Sequence, residues 1–419
     1  MLLARRASLP VLASLVVWAA PTVEEFLRRA EGFKRKGDAS SALAVVEEGL
    51  RQFPKSARLE NEAGFLLGVQ GRFTEAIERF ERAVRLDPKL DEAQFHLGVA
   101  RWIAKDAQGA IGPLEAASQL APGKFEYRAR LGEAYYGLER YTDAVKELEA
   151  AVKLNSGQPG AWNQLGLALQ RSGDRRRAMD AFQKTVDLDA GNVEARNNLG
   201  FLLVETGKAE AGLAQFNEVL RLKPTHRGAL YNIGFAHLQK GDLDKAIGHY
   251  KQLLQAEQDS PVLHYNLGLA LKQKDDLEGA KQELQRAIQL DPQLAEAHYT
   301  LGIAHWQAGE FAEAARQMRS AIALRPDYAE AHYMLGTALK QQGELEEAAN
   351  ALREAIRLDP TTPGPYNLLG QILRQRGDVE GSKTMFAEGA RVKRMREAEQ
   401  KTMFDRSATE SVGPRPRPR

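Results

Sequence analysis

The sequence predicts an all-α solenoid built from tandem helix-turn-helix units. Glycine returns every 34 residues without an insertion, and small residues return at fixed offsets from it. A period of this length is typical of solenoids, whose units bury their apolar faces only by stacking on neighbouring units. The composition agrees, because 43% hydrophobic and 27% charged residues supply a core and exclude general disorder.

The first glycine of each unit is expected where two helices approach closely. The series consists of Gly64, Gly98, Gly132, Gly166, Gly200, Gly234, Gly268, Gly302, Gly336 and Gly370, and Ala30 extends it backward to give eleven units. Alanine recurs twelve residues after these positions, as at Ala178 and Ala314, and again seven residues later, as at Ala321. Bulky side chains at such a contact would overpack it.

Each unit also contains two expected helix ends. A second glycine, such as Gly173 or Gly309, follows the first by seven residues and marks the end of the first helix. A proline such as Pro88 or Pro326 ends the second helix, because its ring removes an amide donor and restricts the preceding residue.

These positions resemble a known family. The matching residues include Trp162, Leu165, Gly166, Leu169, Gly173, Ala178 and Phe182, and also Leu301, Gly302, Gly309, Ala314, Ala321 and Pro326. They resemble the tetratricopeptide repeat over residues 23–396, most weakly in the first and last of the eleven units, as expected of caps. The resemblance implies a right-handed superhelix of stacked hairpins, whose first helices line a concave groove that binds peptides or protein surfaces.

The segment before the repeats reads as a secretory signal peptide over residues 1–19. Arg5 and Arg6 precede an apolar run from Leu9 to Trp18, which is followed by small residues. We therefore expect an exported, periplasmic or secreted protein. The alternatives are a membrane anchor formed by an uncleaved N-terminus, an organelle transit peptide and a plain N-terminal helix.

The segment after the repeats, residues 397–419, is predicted to be a C-terminal tail with a disordered, basic Pro/Arg end. The stretch from Gly413 to Arg419 alternates proline with arginine, a composition that favours an extended, solvated chain. Membrane contact is therefore expected only through the N-terminus or this tail.

Four columns of side chains recur one repeat apart on the predicted first helices. They are tyrosines (Tyr231, Tyr265, Tyr299, Tyr333), asparagines (Asn198, Asn232, Asn266), glutamines (Gln239, Gln273, Gln307, Gln341, Gln375) and cations (Lys272, Lys340, Arg374). Regularly spaced amides can grip an extended peptide backbone, and tyrosines add contact area at low entropic cost. We predict that these columns bind a partner; the alternative is that duplicated units retain them for packing between repeats or as solvated side chains.

The sequence contains no recognisable catalytic, cofactor or metal motif, so we expect a protein that is not an enzyme and needs no cofactor. His264, His298 and His332 also recur at 34 residues, but ligands about 10 Å apart cannot share one ion, which favours packing roles. A net charge of +2 argues against nucleic acid as a partner.

The sequence therefore predicts a noncatalytic scaffold or adaptor that binds a peptide or protein segment in its groove. One alternative is a structural subunit of an envelope secretion, pilus or polysaccharide-export assembly. Another is the recognition arm of a glycosyltransferase on a separate chain, because the asparagine column resembles the groove of O-linked N-acetylglucosamine transferases. Only three consecutive units carry that column here.

Overall fold

A computed structural model describes residues 21–411, with side chains to residue 399, and every regular element in this range is an α-helix. The predicted all-α repeat solenoid is confirmed. The proposed signal peptide at 1–19 lies outside the described residues. The chain divides into two compact units at Leu199 and Gly200, inside α11 (Val193–Glu205).

The first unit contains five pairs of short helices. They are α1 (Val23–Lys34), α2 (Ala39–Gln52), α3 (Ala57–Val69), α4 (Phe73–Leu86), α5 (Asp91–Ile103), α6 (Ala107–Leu120), α7 (Phe125–Gly137), α8 (Tyr141–Leu154), α9 (Pro159–Arg171) and α10 (Arg175–Leu188). Connections of a few residues make successive helices antiparallel neighbours.

The second unit repeats the same arrangement after α11. Its helices are α12 (Ala209–Leu222), α13 (Arg227–Lys240), α14 (Leu243–Ala256), α15 (Pro261–Gln273), α16 (Leu277–Leu290), α17 (Ala295–Gln307), α18 (Phe311–Leu324), α19 (Ala329–Gln342), α20 (Leu345–Leu358), α21 (Pro363–Gln375) and α22 (Val379–Ser411). Odd-numbered helices are the first helices of their hairpins, and even-numbered helices are the second.

The close helix contacts occur where the glycine series predicts them. A Cβ added to Gly166 would lie 2.7 Å from the ring of Phe182, and one added to Gly268 would lie 2.7 Å from Leu284. Ala178 is fully buried. Each first helix therefore lies against its second helix at a point that admits only a small side chain.

The turn after each first helix uses a left-handed backbone conformation. Its residue has positive φ at eight glycines, with values from 75° to 89°, and at Lys105, Glu139 and Asp275, with values from 59° to 69°. The second glycine predicted from the sequence thus has a conformational cause, since side chains are strained there. Three repeats tolerate that strain.

The last helix continues past the predicted end of the repeat array. Its backbone remains helical to Ser411, so residues 397–411 of the tail are helical. Residues 397–411 contain no proline or glycine, and nothing in the backbone stops a helix there. The alternating Pro–Arg end lies outside the described range. Among the described helices, none has the length and apolar character needed to span a membrane.

Candidate partner-binding face

The first helices of the second unit form a continuous surface. Each of α13, α15, α17 and α19 contacts the first helix of the next hairpin. Across one of these seams the Lys340 amine donates to Oε1 of Gln371 at 2.7 Å. We call the surface made by α13, α15, α17, α19 and α21 the first-helix face.

Tyr231 is engaged in a polar network at the start of this face. Its hydroxyl donates to the carboxylate of Glu257 at 2.6 Å and accepts from the Arg227 guanidinium at 3.0 Å. These two neighbours, Tyr231 first, hold the pKa of Glu257 below its usual value. The network ties α13 to the connection before α15, so Tyr231 has a structural partner within its own chain.

The other three tyrosines of the column are also half-buried against neighbouring elements. Burial raises the pKa of Tyr265 and of Tyr299, and the Tyr299 ring lies 4.9 Å from that of Tyr328. The hydroxyl of Tyr333 lies 2.9 Å from where a Cβ would stand on Gly364 in the next first helix. The tyrosines therefore pack between repeats, and their binding of a partner stays a prediction.

The asparagine column is split between the two units. Asn198 lies on α11 in the first unit, whereas Asn232 on α13 and Asn266 on α15 belong to the second. All three are half-buried, and Asn232 has an interaction with its surroundings. The first-helix face therefore contains two of the three predicted asparagines.

The cation column behaves differently from most charges of the chain. Lys272, Lys340 and Arg374 occupy the last turn of α15, α19 and α21, and none forms an ion pair with the described residues. Arg374 is exposed, whereas Lys272 is half-buried, and burial lowers the pKa of its amine. These cations have unused hydrogen-bond donors at the surface.

The glutamine column lies beside the cations at the ends of the first helices. Gln239, Gln273, Gln307, Gln341 and Gln375 are all exposed, and their side chains make no hydrogen bond within the described part of the chain. Each amide can both donate to and accept from a peptide group. The structure thus leaves this column free for a polypeptide backbone.

Two aromatic features were missed in the sequence, one where α11 adjoins the face and one within it. Phe201 and Phe235, one repeat apart, stack with ring centroids 5.7 Å apart, and their spacing was a signal that could have revealed them. Trp306 occupies the same register as Lys272, and its buried indole N–H lacks a partner in residues 21–399. The cation column is therefore interrupted by an aromatic residue.

The three repeated histidines each bond a different group. Nδ1 of His264 lies 2.6 Å from Glu283, and Nδ1 of His298 lies 2.8 Å from Gln317. Nε2 of His332 lies 3.0 Å from the carbonyl of Pro326. Within the described residues, no group of three or more potential ligands could hold a metal ion.

Family models identify the repeat. A model described as tetratricopeptide repeat matches residues 61–125, 163–226 and 299–363, and a second, described as TPR repeat, matches 132–173, 236–275 and 268–309. The chain belongs to the tetratricopeptide repeat family. The count of eleven repeats in this TPR protein stays a prediction, because the models match only parts of the predicted array.

Two solved structures share the fold of this TPR protein, and a third matches part of its chain. Yeast Tom70 is 15% identical over 92% of this chain and 95% of its own, with a TM-score of 0.51. A tetratricopeptide repeat protein from Parabacteroides merdae is 18% identical over 59% of this chain and 98% of its own, also with a TM-score of 0.51. MamA is 28% identical over 40% of this chain and 97% of its own, with a TM-score of 0.38. No curated protein matches the chain.

Proposed function

We propose that this TPR protein is a noncatalytic adaptor whose first-helix face holds an extended segment of a partner protein. The family supports a protein-interaction scaffold, and the free glutamine column supports this location for the interaction. A glutamine that served packing would be buried or bonded to its own chain, whereas all five glutamines of the column are exposed without a bond to the described residues.

The distance between neighbouring repeats in the proposed groove matches a whole number of residues of an extended peptide. Neighbouring hairpins stack about 10 Å apart, and an extended peptide rises about 3.3 Å per residue. Each repeat therefore faces about three residues of the partner, whose backbone groups can pair with successive glutamine amides. The Phe201 and Phe235 stack adds apolar contact area at one end of the face.

A site-specific crosslinker tests where the partner binds. We would place p-benzoylphenylalanine at Gln273 on the first helix α15 in one variant, and at Gln282 on the second helix α16 in another. Both glutamines are exposed, so neither replacement disturbs the core. After irradiation in the native host, the adaptor hypothesis expects a discrete crosslinked partner from Gln273 alone. Equal yields from both positions would contradict the proposed face.

The two alternative functions differ in how the partner is held. A subunit of an envelope assembly would remain in a stoichiometric complex through size-exclusion chromatography in high salt, whereas an adaptor would elute as a free chain and recapture its partner. A recognition arm for a glycosyltransferase would copurify with transferase activity. We propose the adaptor because its binding surface is polar and exposed, unlike the apolar interfaces typical of permanent assemblies.

We also propose that residues 1–19 direct export, on the strength of Arg5, Arg6 and the apolar run that follows. Fusing these residues to a phosphatase that folds only in an oxidising compartment would test this. Activity is expected with the natural segment and should disappear when a Leu12→Arg change interrupts the apolar run. Activity that persists in that variant would count against a signal peptide.

A further inference from the structure

The unpaired cations of the first-helix face indicate the chemistry of the partner. Arg and Lys side chains elsewhere in the second unit commonly pair with acidic residues, as Arg325 does with Glu296 at 3.0 Å and Lys281 with Glu310 at 2.9 Å. Lys272, Lys340 and Arg374 have no such partner in the described residues. We propose that these three residues bind carboxylates of an acidic, extended segment of a partner protein. This inference rests on the proposed function.

A structural role at the helix ends does not account for all three cations. Cations in the last turn of a helix are stabilised by the helix dipole, which favours the charged form of a lysine. Lys272 shows the opposite balance, because burial dominates and lowers the pKa of its amine. A half-buried cation without a counterion destabilises the free protein, and a carboxylate supplied by a partner would remove that cost.

Glu330, an acidic residue of the same face, lies too far from Lys340 to neutralise it. Glu330 stands in the first turn of α19, and Lys340 stands in its last turn. The ten residues between them correspond to about 15 Å along the helix. The three cations lie in the last turns of their helices, where the exposed glutamines also lie.

The positions of the cations predict a pattern in the partner. Lys272 and Lys340 are two repeats apart, about 20 Å, and Lys340 and Arg374 are one repeat apart, about 10 Å. At about 3.3 Å per residue, these separations correspond to about six and three residues of an extended chain. Carboxylates at positions i, i+6 and i+9 of the segment would meet the three cations, while the glutamines contact its backbone.

Fluorescence anisotropy with the full chain tests this pattern. The probe is a labelled 12-residue peptide with Glu at positions 1, 7 and 10 in a Ser, Thr and Val background, and its counterpart carries Gln at those positions. We expect the Glu peptide to bind at least tenfold more tightly. Equal affinities, or binding of the Gln peptide alone, would overturn the i, i+6 and i+9 pattern and leave the proposed function standing.

Two triple variants test whether the preference for the Glu peptide depends on the cation column. The triple variant Lys272→Gln, Lys340→Gln, Arg374→Gln should lose the preference for the Glu peptide. The matched control Lys251→Gln, Arg286→Gln, Arg353→Gln removes the same charge from second helices and should keep that preference within twofold. A loss of preference in both variants would show a general charge effect. The first triple variant could also weaken binding to vesicles containing phosphatidylserine, or to a dT oligonucleotide, as much as it weakens binding of the Glu peptide. That result would overturn a peptide-specific site.

A displayed library of random 12-residue peptides separates failure of this inference from failure of the proposed function. Binders enriched in Asp and Glu, and lost in the first triple variant, would support the cation column even if the designed peptide has the wrong spacing. Binders without acidic enrichment would overturn the inference but keep the peptide-binding face. A library that yields no binder would overturn both the inference and the proposed function.

Discussion

The contact between Gly234 and Tyr250 allows the packing of this TPR protein to be tested in one hairpin. Gly234 lies on α13 and faces the ring of Tyr250 on α14, which is fully buried. A Cβ at Gly234 would stand 2.5 Å from Cζ of that ring, against about 3.5–4.0 Å for a favourable carbon contact. Gly234→Ala therefore forces the ring, or the two helices, to move by about 1 Å.

The expected magnitude is a difference between two opposing effects. Replacing a helical glycine by alanine stabilises the helix by about 0.5–1 kcal/mol, whereas overpacking a buried contact typically costs about 1–3 kcal/mol. Gly248 on α14 supplies the matched control, because an added Cβ there meets nothing within 4 Å. Gly234→Ala should lie about 1–3 kcal/mol below Gly248→Ala in unfolding free energy.

Urea unfolding followed by circular dichroism measures the overall difference. Because a long repeat array need not unfold in one step, hydrogen exchange of the α13 and α14 amides should accompany it. We expect faster exchange in this hairpin for Gly234→Ala and slower exchange for Gly248→Ala. If both variants were stabilised equally, the close approach of α13 to α14 at Gly234 would be wrong.

Three further predictions concern single side chains. Asp275→Gly should raise the free energy of unfolding in urea by about 1 kcal/mol, because a φ of 69° strains the aspartate; no gain would contradict that strain. Tyr250→Phe removes a buried hydroxyl that has no hydrogen-bond partner in the described structure and should raise stability by about 1 kcal/mol, seen as a higher melting temperature. Lys272→Met should stabilise the free protein by about 0.5–2 kcal/mol at pH 7. The gain from Lys272→Met should shrink as pH rises toward the ordinary lysine pKa. The folded wild-type protein then loses the Lys272 proton before the unfolded chain does, so its free energy of unfolding increases. A gain that stays constant with pH would exclude burial of the charge as the cause.

The repeat architecture could be predicted from the sequence because the restrictive contacts recur at fixed spacing. Gly166 and Gly268 must be small whichever residue faces them, a phenylalanine in one hairpin and a leucine in the other. The turn is less strictly encoded, since Asp275 adopts the same left-handed conformation as glycine in other repeats. The last helix continues to Ser411, and no proline or glycine between 397 and 411 stops it earlier.

The state of each side chain on the face depended on the tertiary structure. Tyr231 and Lys272 both belong to columns that the 34-residue period reveals, yet Tyr231 is bonded to Glu257 whereas Lys272 has no counterion in the described residues. Such pairing depends on side chains from helices 20 to 35 residues away, as with Arg325 and Glu296. The period determines which residues share a face; only packing of the neighbouring hairpins decides which of them are left free to bind.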